Sequence, residues 1–410
     1  MATNDKIPDE MAVESLRAEL RGQLITPRDA GYDEARKIWN GMIDRRPAAI
    51  ARVAGAADVV TCVNFARDHN VVLAVRGGAH NVPGNAVCDD GPVIDFCGMK
   101  AIRVDPANRT ARAEPGVKWG EFDREVQAFG LATTSGTFSD TGISGLTLGG
   151  GMGWLGGKCG LVCDNVLSLD VVTADGELRR ASDNENTDLF WALRGGGGNF
   201  GVVTSFEYRL HPVGMLLAGP VFHPFDRARE VLRFYRDFSS DMPDELVTGF
   251  GLLTLPDGNR VAGIVVVYNG PHEEGEKVIR PVREYGTPIV DQIGPMPYTA
   301  VQTMFDPMAP TGRHYYAKAP YLREIKDGAI EALVSAFAEV PSPFTLVFLQ
   351  QKPGAMARGR ADQTASGTAK TSSRLSSSPV GMTPLKRRST SVGIDSWRRT
   401  WSHSAPAAST

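Results

Sequence analysis

The 410-residue sequence has no long apolar segment. No stretch reaches the roughly eighteen uncharged apolar residues that a membrane-spanning helix needs. The N-terminal sequence MATNDKIPDEMAVESLRAEL is polar and acidic, with no basic region followed by an apolar run, so a secretory signal is not expected. We therefore predict a soluble cytoplasmic protein with no membrane partner.

Cysteine and net charge are also scarce. There are 5 cysteines, an odd number without CxxC spacing, which argues against both a disulfide framework and a zinc site. The 7 histidines show no metal-ligand spacing, and we predict no metal. A formal net charge of −3 gives no basic field, so nucleic acid is not an expected partner. The sequence does not indicate an oligomeric state.

The order of the predicted elements indicates an α+β protein. Residues 1–44 form a charged helical lead-in, and residues 45–212 alternate short strands with amphipathic helices and glycine-rich turns. Within the latter range, residues 118–130 predict a helix with one apolar side, and residues 167–182 predict a hairpin whose turn is Asp175-Gly176. Residues 213–357 predict a second α+β domain, an antiparallel sheet backed by helices.

Composition changes again at residues 358–410, which are rich in Ser, Thr and basic residues. Such a segment buries too little apolar surface to fold alone, and we expect a disordered, dispensable tail. An alternative is that this low-complexity segment is a shifted reading frame of a longer gene, in place of a folded C-terminal part. The sequence favours neither interpretation.

Glycine is the most prominent residue type in the composition, with 45 residues, many of them in runs. One run contains GMGWLG, a G-x-G-x-x-G pattern from Gly151 to Gly156. A Rossmann loop needs a buried strand before it and a helix that begins inside it. Gly156, Gly157 and Gly160 lie within five residues, and each glycine costs a helix roughly 1 kcal/mol, so we expect no stable helix there. The pattern indicates close approach of the backbone to a flat or anionic ligand instead.

A second glycine run, RGGAHN at residues 76–81, follows directly after the predicted buried strand VVLAV at residues 71–75. Backbone N–H groups at such a strand end can hold a phosphate. His80 lies inside this predicted anion loop, which distinguishes it from the other histidines.

Four ordered motifs now show a family resemblance: RGGAHN, GTFSDTGISGLTLGGGMGWL, CDN and LFWALRGGGGNFGVVT. Together they resemble the PCMH-type FAD-binding domain of the vanillyl-alcohol-oxidase superfamily and, more narrowly, the berberine-bridge-enzyme-like oxidases. The resemblance covers roughly residues 45–350 and is densest up to residue 212. It implies FAD as the cofactor.

The resemblance also assigns residues to FAD. It implies that the Arg76–Asn81 loop wraps the pyrophosphate, with Ala79 where the family has glycine, and that other residues line the cofactor. The implied cofactor-binding residues are Arg76, Gly77, Gly78, Ala79, His80, Asn81, Ser139, Thr141, Gly142, Gly145, Gly149, Gly150, Gly153, Asn165 and the backbone of Val203.

By the same resemblance, His80 is the residue joined covalently to the flavin 8α-methyl group. Some relatives have a second link through cysteine, but Phe138 stands at the matching position. Cys159 and Cys163 do not match it and are interpreted as packing residues. A single covalent link is therefore expected.

The implied function is that of an FAD-dependent oxidase. It takes a hydride from a C–H next to oxygen or nitrogen to flavin N5, with dioxygen as the electron acceptor. The substrate is a small alcohol, sugar or alkaloid-like amine. Tyr315 and Tyr316 are the catalytic candidates, with Tyr298, Gln302 and Lys318 as further polar candidates. Because nothing after Arg358 matches the closing segment of the family, a truncated or frameshifted protein without activity is the alternative.

Overall fold

The computed structural model describes residues 9–319, 322, 324–359 and 362–366. The first part of the chain contains α1 (Glu10–Glu19), β1 (Gln23–Ile25), α2 (Tyr32–Ala35), β2 (Ala49–Arg52), α3 (Ala56–His69), β3 (Ala74–Arg76), β4 (Pro92–Asp95), β5 (Ile102–Asp105), β6 (Thr110–Ala113), α4 (Trp119–Gln127), β7 (Leu131–Ala132), α5 (Ile143–Leu148), α6 (Gly156–Cys159), β8 (Val166–Val172), β9 (Leu178–Ser182), α7 (Thr187–Leu193), β10 (Val202–Arg209) and β11 (His211–Pro212). The second part contains β12 (Leu216–Pro224), α8 (Ala228–Phe238), β13 (Leu246–Thr254), β14 (Arg260–Tyr268), α9 (His272–Glu284), β15 (Val290–Asp291), β16 (Gly294–Met296), α10 (Tyr298–Thr303), α11 (Asp327–Ala338), β17 (Val347–Gln350) and α12 (Ala355–Arg358).

The chain divides into two compact units. The first contains the described residues up to Gly214, the segment Tyr298–Arg313 and the described residues from Arg358 onward. The second contains Met215–Pro297 and His314–Ala357. The boundary between the two units at Gly214–Met215 lies close to the domain boundary predicted after residue 212. The segment Tyr298–Arg313, however, packs in the first unit, although its position in the sequence suggested the second.

A four-stranded sheet in the order β1-β2-β4-β3 opens the first unit. β4 lies between β2 and β3 and is parallel to both. The predicted strand at residues 71–75 is only partly realised, because β3 begins at Ala74 and Val72 is exposed. β3 is an edge strand that pairs only with β4, so its register with β4 limits the length of the strand.

The second sheet of this unit has the order β5-β6-β10-β8-β9 and is antiparallel. β8 and β9 form the predicted hairpin around Asp175-Gly176, where Gly176 has a φ of 84°. The sequence pattern predicted one apolar side for α4. In the structure, Trp119 and Phe122 of α4 are buried against Tyr208 of β10. These aromatic residues belong to one of the hydrophobic clusters of the first unit.

The glycine-rich segment differs from its prediction. Two short helices, α5 and α6, occupy it, and α6 forms among the glycines where no stable helix was expected. α6 is a single turn that ends at Gly160, which has a φ of 77°. Because Gly156 and Gly157 are buried, tertiary packing rather than helix propensity holds this turn.

The second unit is the predicted antiparallel sheet with helices. It has six strands, in the order β15-β12-β14-β13-β17, with β16 also paired to β12. β12 and α8 were not predicted from the sequence. α8, α9 and α11 contribute buried apolar residues to one core with the central strands, among them Leu232, Ile279, Leu333 and Phe250. Among the helices in the described ranges, none is long and apolar enough to cross a membrane.

The segment assigned to the tail begins with ordered structure. Ala365 donates a backbone hydrogen bond to Trp191 at 3.2 Å, and Arg194 donates to the Gln363 carbonyl at 2.8 Å. Ser366 is buried. Residues 362–366 therefore pack on the first unit, and the rest of the predicted disordered tail lies outside the described residues.

A buried polar cluster fixes α10 within the first unit. The Asp123 carboxylate of α4 is fully buried and accepts hydrogen bonds from Ser135 at 2.8 Å and from Gln302 of α10 at 3.1 Å. No cation approaches it among the described residues. Burial raises the pKa of Asp123 to about 7, against the opposing effect of the two hydrogen bonds.

This burial predicts that stability falls with rising pH between about 4 and 7. A carboxyl group has an unfolded pKa near 3.9, so in this window the folded protein binds more protons at Asp123 than the unfolded chain does. The stabilisation that the protonated Asp123 carboxyl group gives to the folded state is fully present below the unfolded pKa. It is lost as the pH rises toward the folded pKa. The loss of unfolding free energy amounts to on the order of 1.4 kcal/mol for each unit by which the folded pKa exceeds the unfolded pKa. Asp123→Asn should remove this pH dependence, because asparagine does not ionise.

The measurement is urea unfolding of the parent and Asp123→Asn proteins at pH 4, 5.5 and 7. Asp183→Asn, which changes an exposed carboxylate of the same unit, is the control. An unfolding free energy of Asp123→Asn that tracks the parent at every pH would contradict the prediction.

Candidate functional site

The loop Arg76–Asn81 begins where β3 ends, and its first side chain anchors it. Arg76 is buried, forms an ion pair with Asp95 at 2.6 Å and donates to the Ala35 carbonyl at 2.7 Å. Its guanidinium group therefore binds protein groups below the loop. The anion-binding potential of the loop lies in its backbone.

This loop lies directly on the segment Thr141–Gly145. A Cβ atom on Gly78 would lie 2.3 Å from the backbone nitrogen of Gly142, and one on Gly142 would lie 2.4 Å from that of Gly78. A Cβ atom on Gly77 would lie 2.2 Å from the Ser144 hydroxyl oxygen. Glycine is needed at all three positions because no side chain fits between the two segments.

The loop presents its N–H groups without partners. None of the backbone N–H groups of residues 77–81 donates a hydrogen bond to another described residue. Ala79 has a φ of 59°, a left-handed conformation that bends the chain within the loop. Consecutive free N–H groups on a bent backbone form a concave anion-binding surface.

α5 carries the second glycine surface. Gly145 and Gly149 lie one turn apart, and both are exposed. A Cβ atom on Gly145 would meet nothing within 4 Å, so a flat ring system can approach this side of α5. Gly150 and Gly153 differ, because a Cβ atom there would lie 2.9 Å from the Ser366 hydroxyl and 1.8 Å from the Ser135 carbonyl oxygen, respectively. Both are buried and serve packing inside the protein.

His80 lies between Trp39 and Asp140. Its ring stacks on Trp39 with centroids 4.7 Å apart and an interplanar angle of 23°. Its Nε2 atom lies 3.1 Å from a carboxylate oxygen of Asp140, and the other oxygen of Asp140 binds the Lys118 ammonium group. His80 is only partly buried, so its ring is accessible to a ligand.

Two other predicted cofactor residues lie near the loop but have protein partners. The hydroxyl and N–H groups of Ser139 both donate to the Asp306 carboxylate, the N–H group at 2.9 Å. The Thr141 carbonyl accepts the N–H group of Trp119 at 2.9 Å.

The remaining cofactor candidates, Asn165 and Val203, are buried within the first unit. Asn165 donates to the carbonyls of Cys159 and Leu161, both at 2.8 Å, and its Oδ1 atom lies 2.7 Å from the His211 ring nitrogen. Its amide therefore has protein partners on both sides.

The catalytic candidates lie in the second unit. Tyr315 is 1% exposed, whereas Tyr316 is half-buried and has the Lys318 ammonium group 5.5 Å from its ring centroid. Tyr298 and Gln302 belong to the first unit, where both are buried and Gln302 binds Asp123.

Three residues with distinctive surroundings were not predicted from the sequence. Trp39 and Asp140 contact His80, but neither carries a motif of its own. In the second unit, Lys352 is 2% exposed, and burial lowers its pKa to about 8. The neighbouring glutamines and proline in QQKPG gave no signal for a buried amine.

Cys159 and Cys163, for which a packing role was predicted, are both at least half-buried. Cys163 is buried and Cys159 is half-buried, and burial raises the pKa of both thiols, that of Cys159 to about 11. Across the described ranges, no group of three or more His, Cys, Asp or Glu residues could hold a metal ion.

FAD fits these residues. A pyrophosphate requires several N–H donors at close range, which the Arg76–Asn81 loop supplies. A flat isoalloxazine requires a surface without side chains, which Gly145 and Gly149 supply. His80 borders the loop with an accessible ring.

Comparisons with known proteins identify an FAD-binding domain in this chain. The FAD binding domain family model matches residues 47–182. An FAD-linked oxidoreductase of Dictyostelium discoideum is 32% identical over 358 residues, which cover 86% of this chain and 78% of that protein. The (R)-6-hydroxynicotine oxidase of Paenarthrobacter nicotinovorans is 36% identical over 287 residues, 69% of this chain and 62% of that protein.

Solved structures share the fold across nearly the whole chain. The 6-hydroxy-D-nicotine oxidase of Arthrobacter nicotinovorans has a TM-score of 0.84 at 26% identity, covering 95% of this chain and 87% of that chain. A berberine-bridge-enzyme-like protein of Physcomitrella patens has a TM-score of 0.85 at 21% identity, covering 95% and 87%. The predicted resemblance to FAD-linked oxidases is confirmed, and the chain belongs to the family of FAD-linked oxidoreductases with an FAD binding domain.

Proposed function

We propose that this protein is an oxidase that binds one FAD in the first unit and passes electrons from a small organic substrate to dioxygen. The observation that carries this proposal is the run of backbone N–H groups at residues 77–81 that have no partner among the described residues. Such a run is costly unless solvent or an anion binds it. The FAD binding domain match over residues 47–182 supports FAD as that anion.

The protein residues hold and orient the cofactor. The Arg76–Asn81 backbone would bind the pyrophosphate, with the Thr141–Gly145 segment beside it, and Gly145 and Gly149 would lie against the flat ring. Bound flavin supplies hydride acceptance at N5. Arg76 contributes indirectly, because its pair with Asp95 fixes the start of the loop at the end of β3.

The substrate class is a small alcohol, sugar or alkaloid-like amine. An alkaloid-like amine is supported by the relative named (R)-6-hydroxynicotine oxidase, to which this chain is 36% identical over 287 residues. Tyr316 and Tyr315 are the proposed acid–base residues. Tyr316 is favoured because it is only half-buried, and the Lys318 ammonium group makes a cation–π contact with its ring, 5.5 Å from the centroid.

His80 is the proposed site of a single covalent flavin link. It borders the loop, its ring is accessible, and Trp39 holds the plane of the ring. A second link through cysteine is not proposed, because Phe138 stands in the place of cysteine and the Cys159 and Cys163 thiols are held by packing. The cytoplasmic location stays a prediction from the sequence.

His80→Ala should leave flavin bound but releasable. In the parent protein, the flavin should remain with the chain after acid precipitation, whereas in His80→Ala it should appear in the supernatant. The matched control is His69→Ala, because His69 stacks on Phe65 with centroids 4.3 Å apart in the same unit but lies on the surface of α3. Flavin that stays with denatured His80→Ala would exclude His80 as the attachment site.

Oxidase activity predicts that substrate reduces the flavin without oxygen. Under anaerobic conditions a panel of alcohols, oligosaccharides and hydroxylated pyridine amines should include a compound that bleaches the visible absorption band of the oxidised flavin, roughly within seconds at enzymatic rates. Admission of air should restore the band with one hydrogen peroxide per flavin. Tyr316→Phe should slow the bleaching without changing flavin content.

A yellow protein that no member of the panel reduces would reject the proposed substrate class. Reoxidation by air without peroxide would reject dioxygen as the electron acceptor. A colourless protein would favour the alternative of a protein without activity.

A further inference from the structure

The carboxylate of Asp140 joins His80 to two other polar groups. One oxygen accepts from Lys118, and the other lies 3.1 Å from His80 Nε2 and 3.5 Å from the Thr311 hydroxyl group. Nothing in the sequence motif GTFSDTG distinguishes this aspartate from a turn residue. Its position places a fixed negative charge at one edge of the His80 ring.

Asp140 is ionised at all physiological pH values. Partial burial raises its pKa, but the hydrogen bonds from His80 and Lys118 outweigh this effect and lower the pKa to about 2. An ionised carboxylate can only accept hydrogen bonds. The Nε2 atom of His80 must therefore carry the proton in this contact, which leaves the lone pair of a neutral ring on Nδ1.

The opposite edge of the ring is free. His80 Nδ1 has no hydrogen-bond partner among the described residues. Trp39, which stacks on the ring, is itself fixed, because its indole N–H donates to the Ala309 carbonyl at 3.0 Å and its backbone N–H to the Ala79 carbonyl at 3.2 Å. The ring is thus held in one plane, with its nucleophilic nitrogen facing away from Asp140.

We propose that Asp140 is a positioning residue for covalent flavin attachment, because it holds His80 in the tautomer whose Nδ1 lone pair can form the bond. This inference rests on the proposed link at His80. It adds a function for Asp140 that is separate from flavin binding, since Asp140 acts on the imidazole of His80 rather than on the cofactor.

The attachment step balances with dioxygen as the oxidant. A bond forms between His80 Nδ1 and the flavin 8α carbon, and that carbon loses one hydrogen as a proton. The ring becomes positively charged as the bond forms, Asp140 stabilises that charge, and the Nε2 proton is then released. The two electrons that remain reduce the flavin, and dioxygen takes them with two protons to give hydrogen peroxide.

The test measures attachment separately from binding. Parent, Asp140→Asn and Asp170→Asn proteins are produced in a riboflavin-starved host, mixed with FAD in air, and quenched in acid over time. Attached flavin is quantified by in-gel fluorescence and intact mass. Asp170→Asn is the matched control, because it removes a surface ion pair of the same unit, 3.2 Å from Arg112.

We expect Asp140→Asn to slow attachment at saturating FAD by about tenfold or more, as expected when an imidazole loses the carboxylate that fixes its tautomer. The dissociation constant for FAD before attachment and the melting temperature should stay near those of the parent, a separation that a merely structural role would not produce. If Asp140→Asn attaches flavin at the parent rate, or if its rate falls only in proportion to weaker FAD binding, the proposal for Asp140 is overturned. The proposed link at His80 would not be affected by that result. A parent protein that binds FAD but never attaches it would overturn the link at His80, and with it this inference.

Discussion

The close contact of two backbone segments at Gly78 and Gly142 is the constraint on which the site depends. Each glycine occupies the space that a Cβ atom on the other would need, with separations of 2.3 and 2.4 Å. Overlap of this size cannot be relieved by rotating a side chain, because the opposing atoms are backbone. The contact joins the end of β3 to the start of α5, and so brings the loop with free N–H groups beside the glycine surface of α5.

The surrounding polar pairs hold this arrangement from three sides. Below the loop, Arg76 binds Asp95. Beside it, Asp140 connects His80 to Lys118, and Asp306 binds both polar groups of Ser139. Asp306 belongs to the segment Tyr298–Arg313, which comes from a distant part of the sequence but packs in the first unit. The site is therefore assembled from five segments that are separate in the sequence.

The sequence predicted the parts of the site that depend on local chemistry. RGGAHN after a strand, the hairpin at Asp175-Gly176 and the apolar side of α4 are all patterns within a few residues, and all three appear in the structure. It did not separate glycines that face open space, such as Gly145, from those that allow tight packing, such as Gly153, because both have the same sequence signal. The partners of Arg76 and His80 could not be predicted either, since tertiary contacts alone determine them.

The most direct test of this account is the flavin content of two helix glycine variants. Gly145 of α5 and Gly328 of α11 are both exposed, and a Cβ atom on either would meet nothing within 4 Å. Alanine is favoured over glycine in helices by roughly 1 kcal/mol, so neither substitution should lower the melting temperature. If the flat ring of the cofactor lies against Gly145, Gly145→Ala loses flavin whereas Gly328→Ala keeps the parent content. Full flavin content in Gly145→Ala would contradict this placement, because the cofactor would then not lie against this side of α5.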